Sequence, residues 1–538
     1  MPKKIKYVLI PLGLAVLLVI GLQLLLVTFH VNAKSPSTSH LSLIIGTTRQ
    51  ITTLDPAELS GGQEVEIFNN IGSGLLIYDP LTSELVPGLA ASIPEINPNG
   101  LVYTFTLRSG LKFMDGTPLN ANAVKWSIDR AAALGSGMSY LVTDYVQQIN
   151  VIDNLTVQFV LKQAFAFFPQ LVVNLPYFPV SSNCFPIYQF DPNSTCGGIG
   201  PYTIANWEHG VSIELIANPN YYGTPPSIPD ILVRQFNTAA EMRQALEADE
   251  IDVAWKSLDQ LDYQEFRTNP DFNVVEQAGS FIRYLCINTK KPPFDNANLR
   301  VALAVALDRE TTAHSVYSDT RTALYSMVPT SIWSHQDSFR ELYGQRDLEL
   351  ARNLLWQEGY SETNKLEMEL WYPLDHYGLL EPQLAARLAS DIEETGMVSV
   401  TLKYADWYEY ISNLGAGKMP VFLLGWWPDY PDPDNLTWPF GYSTSSSGMG
   451  INYNNPVMDG LLEAGRLSTP IWSPAREAIY GAVQELWAEE APTIPLVQDL
   501  ALIVTQPILH GISVSPSGNL FYSTIYWYKT LLPLLMKN

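Results

Sequence analysis

Apolar and polar positions alternate along this chain with two periods, one typical of strands and one typical of helices. Residues 101–113 (LVYTFTLRSGLKF) alternate with a period of two and predict a hairpin broken at the Ser-Gly pair. Further on the period lengthens, and Asn120 can cap a helix that carries Val124 and Ile128 on one face. The region therefore begins with strands and continues into a helix.

The two periods go on alternating over the rest of the chain. Strand-like and helix-like segments follow one another, which predicts α/β architecture rather than an all-β sandwich. Predicted strands include 41–48, 151–161, 251–255, 366–371 and 398–404, and predicted helices include 239–248, 296–308, 347–357 and 382–395.

Composition narrows the class of protein. The chain has 538 residues, enough for several domains, and its 47% hydrophobic content supports a large core. Acidic residues number 54 against 31 basic ones, for a formal net charge of −23. A nucleic-acid binder needs a basic face to neutralise phosphates, so we expect no nucleic-acid partner.

Catalytic motifs are missing from the sequence. It contains no HExxH, no GxSxG and no Walker-type glycine loop. No two of its seven histidines lie two to four residues apart, so the pattern offers no preformed metal site. We therefore expect a binding protein with no catalytic residues, no metal and no cofactor, rather than an enzyme.

The N-terminus carries an export or anchoring signal. Three lysines within the first six residues precede an uncharged run at 7–31, which is long enough to cross a bilayer. Val31-Asn32-Ala33 also offers a signal-peptidase site, so residues 1–34 are interpreted as an uncleaved anchor or a cleaved signal peptide. Residues 35–40 form a short tether. The basic N-terminal side places the rest of the chain outside the cytoplasm.

An exported chain folds in an oxidising compartment, where cysteines pair. Cys184 and Cys196 lie in one loop-like stretch rich in Pro, Asn and Ser, and we expect a disulfide between them; two free thiols are the alternative. Cys286 falls in an alternating strand-like run and is expected to be a buried small apolar residue.

One segment concentrates chemistry that suits a ligand. A short apolar run (VFLLGWW) is followed by a proline-stiffened, acidic stretch, and together they contain Gly425, Trp426, Trp427, Asp429 and Tyr430. Indole faces beside a carboxylate at a strand end suit a ligand that has an amine and apolar parts. The alternative is an ordinary loop in which the aspartates cap turns.

Several motifs together identify a family. LDPA at 54–57, LVPGLAASI at 85–93, YTFTLRSGLKFMDGTPLNANAVKWSIDR at 103–130 and GIGPY at 198–202 are followed by IELIANPNYYG, PPFDNANLRVALAVALDRE and GWWPDYPDPDNL. In kind and in order these segments resemble the motifs of the extracytoplasmic solute-binding proteins of ABC transporters, family 5, which bind oligopeptides, dipeptides or nickel. The resemblance covers nearly all of residues 41–532.

This resemblance implies a fold of the periplasmic-binding-protein type (type II, cluster C). Two lobes close like a clam-shell, and an extra subdomain is inserted in lobe I. The implied ranges are 41–77, 199–285 and 497–538 for lobe I, 78–198 for the inserted subdomain, and 286–496 for lobe II.

The implied function is capture of short peptides between the hinged lobes and their delivery to ABC permease subunits, which act with cytoplasmic ATPases. Nickel chelates, oligosaccharides and a ligand-sensing receptor role remain alternatives, and an extracellular hydrolase is a more distant one. The protein is expected to be a monomer, located in the periplasm or on the outer face of the cell membrane.

The resemblance also suggests ligand contacts. Ser60, Gly61 and Gly62 match the segment after the LDP motif that helps to bind peptide backbone, although a flexible turn would have the same composition. Asp429 matches the aspartate that takes the peptide's α-ammonium. The chain departs from oligopeptide binders in having Ser60 at an acidic position and Leu423 at an arginine position, so contacts to the charged peptide ends are expected to differ.

Since the apolar N-terminal run precedes every family motif, we expect that deletion of residues 1–34 leaves a soluble, monomeric and folded ectodomain. Size-exclusion chromatography and a thermal melt of the truncated protein check this. An insoluble product without a cooperative unfolding transition would contradict the assignment of residues 1–34.

Overall fold

A large mixed sheet runs through the molecule. The computed structural model describes residues 42–196 and 198–528, and within these residues eleven strands join one sheet. In chain order the strands are β1 (Ser42–Thr47), β2 (Leu76–Tyr78), β3 (Leu85–Pro87), β4 (Glu95–Ile96), β5 (Val102–Thr106), β6 (Val146–Val151), β7 (Thr156–Leu161), β8 (Tyr202–Glu208), β9 (Ser212–Ala217), β10 (Asp230–Gln235), β11 (Val253–Trp255), β12 (Asn273–Ile287), β13 (Arg321–Ala323), β14 (Leu366–Pro373), β15 (Val398–Ala405), β16 (Val421–Trp426), β17 (Thr493–Thr505), β18 (Leu509–His510) and β19 (Tyr526–Trp527).

Helices cover the sheet. The α-helices are Gln63–Ile71, Ala121–Leu134, Tyr140–Thr143, Phe168–Leu171, Ala239–Glu247, Gln260–Thr268, Ala297–Ala306, Arg309–Tyr317, Ser338–Tyr343, Leu348–Gln357, Glu381–Glu393, Trp407–Gly415, Pro433–Gly441, Ser443–Ser446, Pro456–Leu467 and Pro474–Glu490, with 3₁₀ turns at Leu175–Tyr177 and Tyr522–Thr524. The predicted α/β class is confirmed by this alternation.

Two long strands join the halves of the sheet. The strand order is β15-β14-β16-β12-β17-β11-β1-β10-β9-β8, and β13 pairs with β17 outside this path. Strands β12 and β17 pair antiparallel along most of their length, with a register shift between Ala278 and Ile282. On one side of the shift β17 pairs with β11, and on the other side β12 pairs with β16. The predicted boundaries at 285/286 and 496/497 lie on the β16 side of this shift and stay predictions.

The core beside β16 is built from segments that are buried on all sides. In the helix Ala297–Ala306 every residue from Leu299 onward is buried, and in β12 the last eight residues are buried. A central strand that is covered on both faces has no solvent face to alternate with, which explains its continuous apolar run.

A second, four-stranded sheet, ordered β4-β5-β7-β6, lies in the region predicted as the inserted subdomain. It packs on the helix Ala121–Leu134, which Asn120 caps as predicted by accepting a hydrogen bond from the Ala123 amide. Its apolar core also takes in Tyr430 and Ile471 from the C-terminal half of the chain. The acidic segment after β16 is thereby packed against this region.

The hairpin predicted over residues 101–113 is wrong. Strand β5 pairs with β4 and β7, and the residues after it make only an isolated bridge between Lys112 and Pro118. Alternation with a period of two specifies a strand and its buried face, but it does not specify the partner strand.

Among residues 42–196 and 198–528, none of the helices has both the length and the apolar character needed to cross a bilayer. The apolar run predicted at 7–31 and the tether at 35–40 lie outside the described residues.

A buried ion pair fixes the turn that follows β16. Asp432 caps the helix Pro433–Gly441 by accepting a hydrogen bond from the Asp434 amide. Both oxygens of Asp432 also accept hydrogen bonds from Arg476, at 2.7 and 2.8 Å, and both side chains are fully buried. This two-pronged geometry satisfies both charges where water cannot reach them.

The predicted cysteine pairing is present in the structure. A disulfide joins Cys184 to Cys196, whose Cα atoms are 5.6 Å apart, and Cys286 is a buried free thiol. Asp115 lies close to both disulfide sulfurs, and these three groups would offer metal ligands only if the cysteines were reduced.

The substitution Asp432→Asn keeps a capping side chain but leaves Arg476 buried without its anion. We expect the free energy of unfolding to fall by about 3–5 kcal/mol, as measured by urea denaturation. Asp406→Asn is the matched control, because Asp406 is an exposed cap of the helix Trp407–Gly415 and Asn caps nearly as well. Equal stability of the two variants would contradict the structural role of the buried pair.

Thiol counting tests the disulfide. Under denaturing, non-reducing conditions we expect one free thiol, from Cys286, and after reduction we expect three. Closure of this short loop contributes roughly 2–3 kcal/mol by restricting the unfolded chain. Three free thiols before reduction would rule out the pairing.

Candidate functional site

An open cleft of about 790 Å³ lies where the two long strands change register. Its floor includes residues 279–281 of β12 and 499–502 of β17. One wall is formed by residues 60–62, 255–258 and 515–521, and the other includes residues 427–429. A cavity of this size accommodates a small organic ligand.

The wall around residue 255 is held by one buried carboxylate. Glu66 accepts hydrogen bonds from the Trp255 indole at 2.6 Å, the Tyr522 hydroxyl at 2.8 Å and the Leu520 amide at 3.1 Å. Lys256 lies 3.2 Å from the same carboxylate. Three distant chain segments therefore meet at Glu66, which fixes this side of the cleft.

Asp429 lies on the opposite wall and lacks a cationic partner. Its amide donates to the Asn435 side-chain oxygen at 3.0 Å, and the Asn435 amide group lies 3.4 Å from its carboxylate. No Lys, Arg or His nitrogen of the described residues lies within 4.0 Å of it. Burial raises the pKa of Asp429, and a hydrogen bond from the Tyr140 hydroxyl offsets this only in part. The site is therefore short of positive charge.

The other two aspartates of the segment are committed to the fold. Asp432 is paired with Arg476, as described above. Asp434 accepts two hydrogen bonds from Arg466, at 2.7 and 2.9 Å, and one from the Tyr430 hydroxyl at 2.8 Å. The expectation that Asp432 caps the turn is confirmed, whereas Asp434 holds a second ion pair. Asp429 is the member of the three that lines the cleft.

Of the two tryptophans predicted to wall the site, the structure brings only Trp427 to the cleft. Trp427 is 57% exposed and stacks on Phe281 with ring centroids 3.8 Å apart. Trp426 instead packs edge-on against Phe440 and donates to Asn435 at 2.9 Å. Neighbouring residues at the end of a strand point to opposite faces, so both indoles could not face the same space.

Two further predicted residues lie outside the cleft. Tyr430 is buried and stacks on Phe167 of the inserted region at 4.9 Å, because its ring fills that region's core. Gly425 lies within β16, where a Cβ would come within 2.7 Å of the Phe281 ring. Both residues support the fold of the cleft rather than its surface.

Ser60, Gly61 and Gly62 do line the cleft and are exposed. A Cβ added at Gly61 would meet no atom within 4 Å, so this backbone is open to close approach. Gly62 has φ +89° as the chain enters the helix Gln63–Ile71, a conformation that favours glycine. Their predicted contact with ligand backbone stays a prediction.

Residues that the sequence did not point out complete the cleft. Phe281, Arg321 and Asp499 line it, and they come from three strands that are far apart in the chain. No local spacing links them. Phe281 falls in the strand-like run around Cys286, but only the sheet register shows that it lies at the interruption of β12.

The described residues give no support to a metal site in the cleft. Their one group of three clustered His, Cys, Asp or Glu ligands is Asp115 with the two disulfide cysteines. None of the three lines the cleft.

Comparisons with known proteins agree with this architecture. Heme-binding protein A of Haemophilus influenzae is 25% identical over 517 residues, covering 90% of this chain and 92% of that protein. The dipeptide-binding protein of Escherichia coli K12 is 25% identical over 475 residues, covering 82% and 86%. The unliganded open form of the periplasmic murein tripeptide binding protein MppA superposes with a TM-score of 0.80 at 21% identity, covering 91% of this chain and 98% of that one. This likeness in fold confirms the predicted two-lobed architecture.

The family itself is established by a profile match. The profile described as bacterial extracellular solute-binding proteins, family 5 Middle, matches residues 84–448, more than half of the chain. With its long crossing strands, its open cleft and this match, the chain belongs to the bacterial extracellular solute-binding proteins of family 5.

Proposed function

We propose that this chain is the extracytoplasmic substrate-binding protein of an ABC importer and that its ligand is a short peptide. The observation that carries the proposal is Asp429, a carboxylate without a cationic partner beside the exposed ring of Trp427. A free α-ammonium would supply the missing charge, and apolar side chains would pack on the Trp427–Phe281 stack. The names of several relatives, among them the dipeptide-binding protein, agree with this ligand class.

The mechanism of capture is closure of the two lobes around the ligand. Ligand shifts an open–closed equilibrium only by its differential affinity for the closed form. The closed form is the state that a membrane permease can distinguish. The chain acts as a monomer, binds ligand without cleaving it, and is held at the outer face of the membrane by residues 1–34 or released after their removal.

A tetrapyrrole is the second candidate ligand, because one relative is a heme-binding protein. Aromatic walls such as Trp427 and Phe281 would suit a flat ring as well as a peptide side chain. The described cleft residues include no histidine or cysteine, which are common axial ligands of haem iron. This favours the peptide.

Native mass spectrometry of the purified ectodomain tests the ligand class. We expect co-purified or added peptides to appear as intact adducts and to raise the melting temperature, as binding to the native state requires. Cleaved peptides would indicate a hydrolase, and an adduct with the mass of a porphyrin would overturn the peptide assignment. Permease and ATPase genes beside this gene would favour transport over sensing.

We expect Asp429→Asn to weaken peptide binding by roughly 3–5 kcal/mol, on the order of a thousandfold, because the closed cleft would bury the ammonium without its partner. The melting temperature of the unliganded protein should hardly change, since no ion pair in the fold uses Asp429. Isothermal titration calorimetry with a peptide found by mass spectrometry measures the loss.

Asp406→Asn, which changes an exposed carboxylate outside the cleft, is the control and should bind like the wild type. N-acetylation of the peptide should reproduce the loss in the wild type. If neither Asp429→Asn nor acetylation lowers the affinity, Asp429 does not anchor the amine.

A further inference from the structure

A second unpaired charge lines the same cleft. Arg321 begins strand β13, and the partly exposed remainder of its side chain borders the cavity. Its Nη1 atom is buried and has no hydrogen-bond partner. Within residues 42–196 and 198–528, no carboxylate oxygen lies within 4.0 Å of its guanidinium group. A buried charged donor without a partner costs more than the roughly 1–3 kcal/mol of a neutral one.

Aromatic rings hold this guanidinium group in place. Its Cζ atom lies 4.2 Å from the ring centre of Tyr317 and 5.2 Å from that of Phe281. Phe281 in turn stacks on Trp427. Arg321 is therefore oriented before any ligand arrives, and its ring contacts continue toward the wall that carries Asp429.

The carboxylates near Arg321 are engaged elsewhere. Asp499 lies opposite it in the sheet register and accepts a hydrogen bond from the Phe281 amide at 3.0 Å. Burial raises the pKa of Asp499 to about 6, so this group neutralises Arg321 only in part near neutral pH. Glu381 forms a buried ion pair with Arg283.

Other cations also border the cleft, but they differ from Arg321 in kind. Lys256 lies 3.2 Å from Glu66 and is thus compensated. Arg49 is exposed, where water screens its charge. Arg321 combines partial burial, a fixed orientation and the lack of an anion.

We propose that Arg321 binds the free carboxylate of the ligand, which, given the proposed function, is the C-terminal carboxylate of the peptide whose ammonium Asp429 receives. Guanidinium matches a carboxylate by donating two parallel hydrogen bonds. Strands β13 and β16 both join the same half of the β12–β17 ladder, so the spacing of the two charges is set within one lobe. An extended chain advances about 3.3–3.6 Å per residue, and a separation of two ring contacts therefore selects short peptides with both ends free.

The test pairs a change in the protein with a change in the ligand. Wild type and Arg321→Gln are titrated with one peptide in two forms, with a free C-terminus and with a C-terminal amide. For the wild type we expect amidation to weaken binding roughly a hundredfold, as for other desolvated charge pairs. For Arg321→Gln both forms should bind equally, at about the affinity of the amide for the wild type. Arg49→Gln is the matched control and should keep the full preference for the free carboxylate.

Each result decides one question. If amidation does not change the affinity of the wild type, no carboxylate is anchored and the inference fails, while the proposed peptide function stands. If Arg321→Gln keeps the preference, or if Arg49→Gln loses it, the carboxylate binds elsewhere. If the wild type binds neither form of any peptide, the proposed function itself fails. The wild-type comparison does not depend on the folding of any variant.

Discussion

The pairing of β12 with β17 is the constraint on which the rest of the molecule depends. These strands are the connection through which the sheet continues from β11 to β16, so both halves of the fold are attached to one ladder. The ladder is interrupted at residues 279–281. Gly279 is required there, because a Cβ would come within 2.0 Å of an Asp499 carboxylate oxygen. The cleft lies over this interruption, where backbone hydrogen bonds do not tie the two strands together.

Charges around the cleft fall into two groups with different physical roles. Asp432 with Arg476 and Asp434 with Arg466 are buried pairs whose hydrogen bonds are satisfied. They fix the segment after β16, and their removal would leave uncompensated charges in the core. Asp429 lacks such a partner and borders the cavity instead. The same short segment thus supplies two structural acids and one that is free to meet a ligand.

The sequence predicted the parts of this site that depend on local chemistry. Crowding of aromatic and acidic residues at a strand end indicated Asp429 and Trp427, and proline-stiffened turn chemistry indicated the capping role of Asp432. The misplacement of Trp426 was avoidable, since adjacent strand residues point to opposite faces. The position of Tyr430 was not predictable, because its neighbour Phe167 comes from another region of the chain. Arg321 and Phe281 were missed for the same reason: their contacts join strands that no local pattern pairs.

The location of the two unpaired charges bears on how closure would work. Asp429 and Arg321 belong to one half of the ladder, so a ligand held by both would meet them already in the open form. Contacts that are equal in both states do not shift the equilibrium between them. Closure must therefore be driven by what is gained on the facing wall, where Ser60, Gly61 and Gly62 present exposed backbone. Exclusion of water adds to this, because charge pairs strengthen as the surrounding dielectric falls. One wall is thus suited to recognise the ends of a ligand, and the other to sense that the cleft is filled.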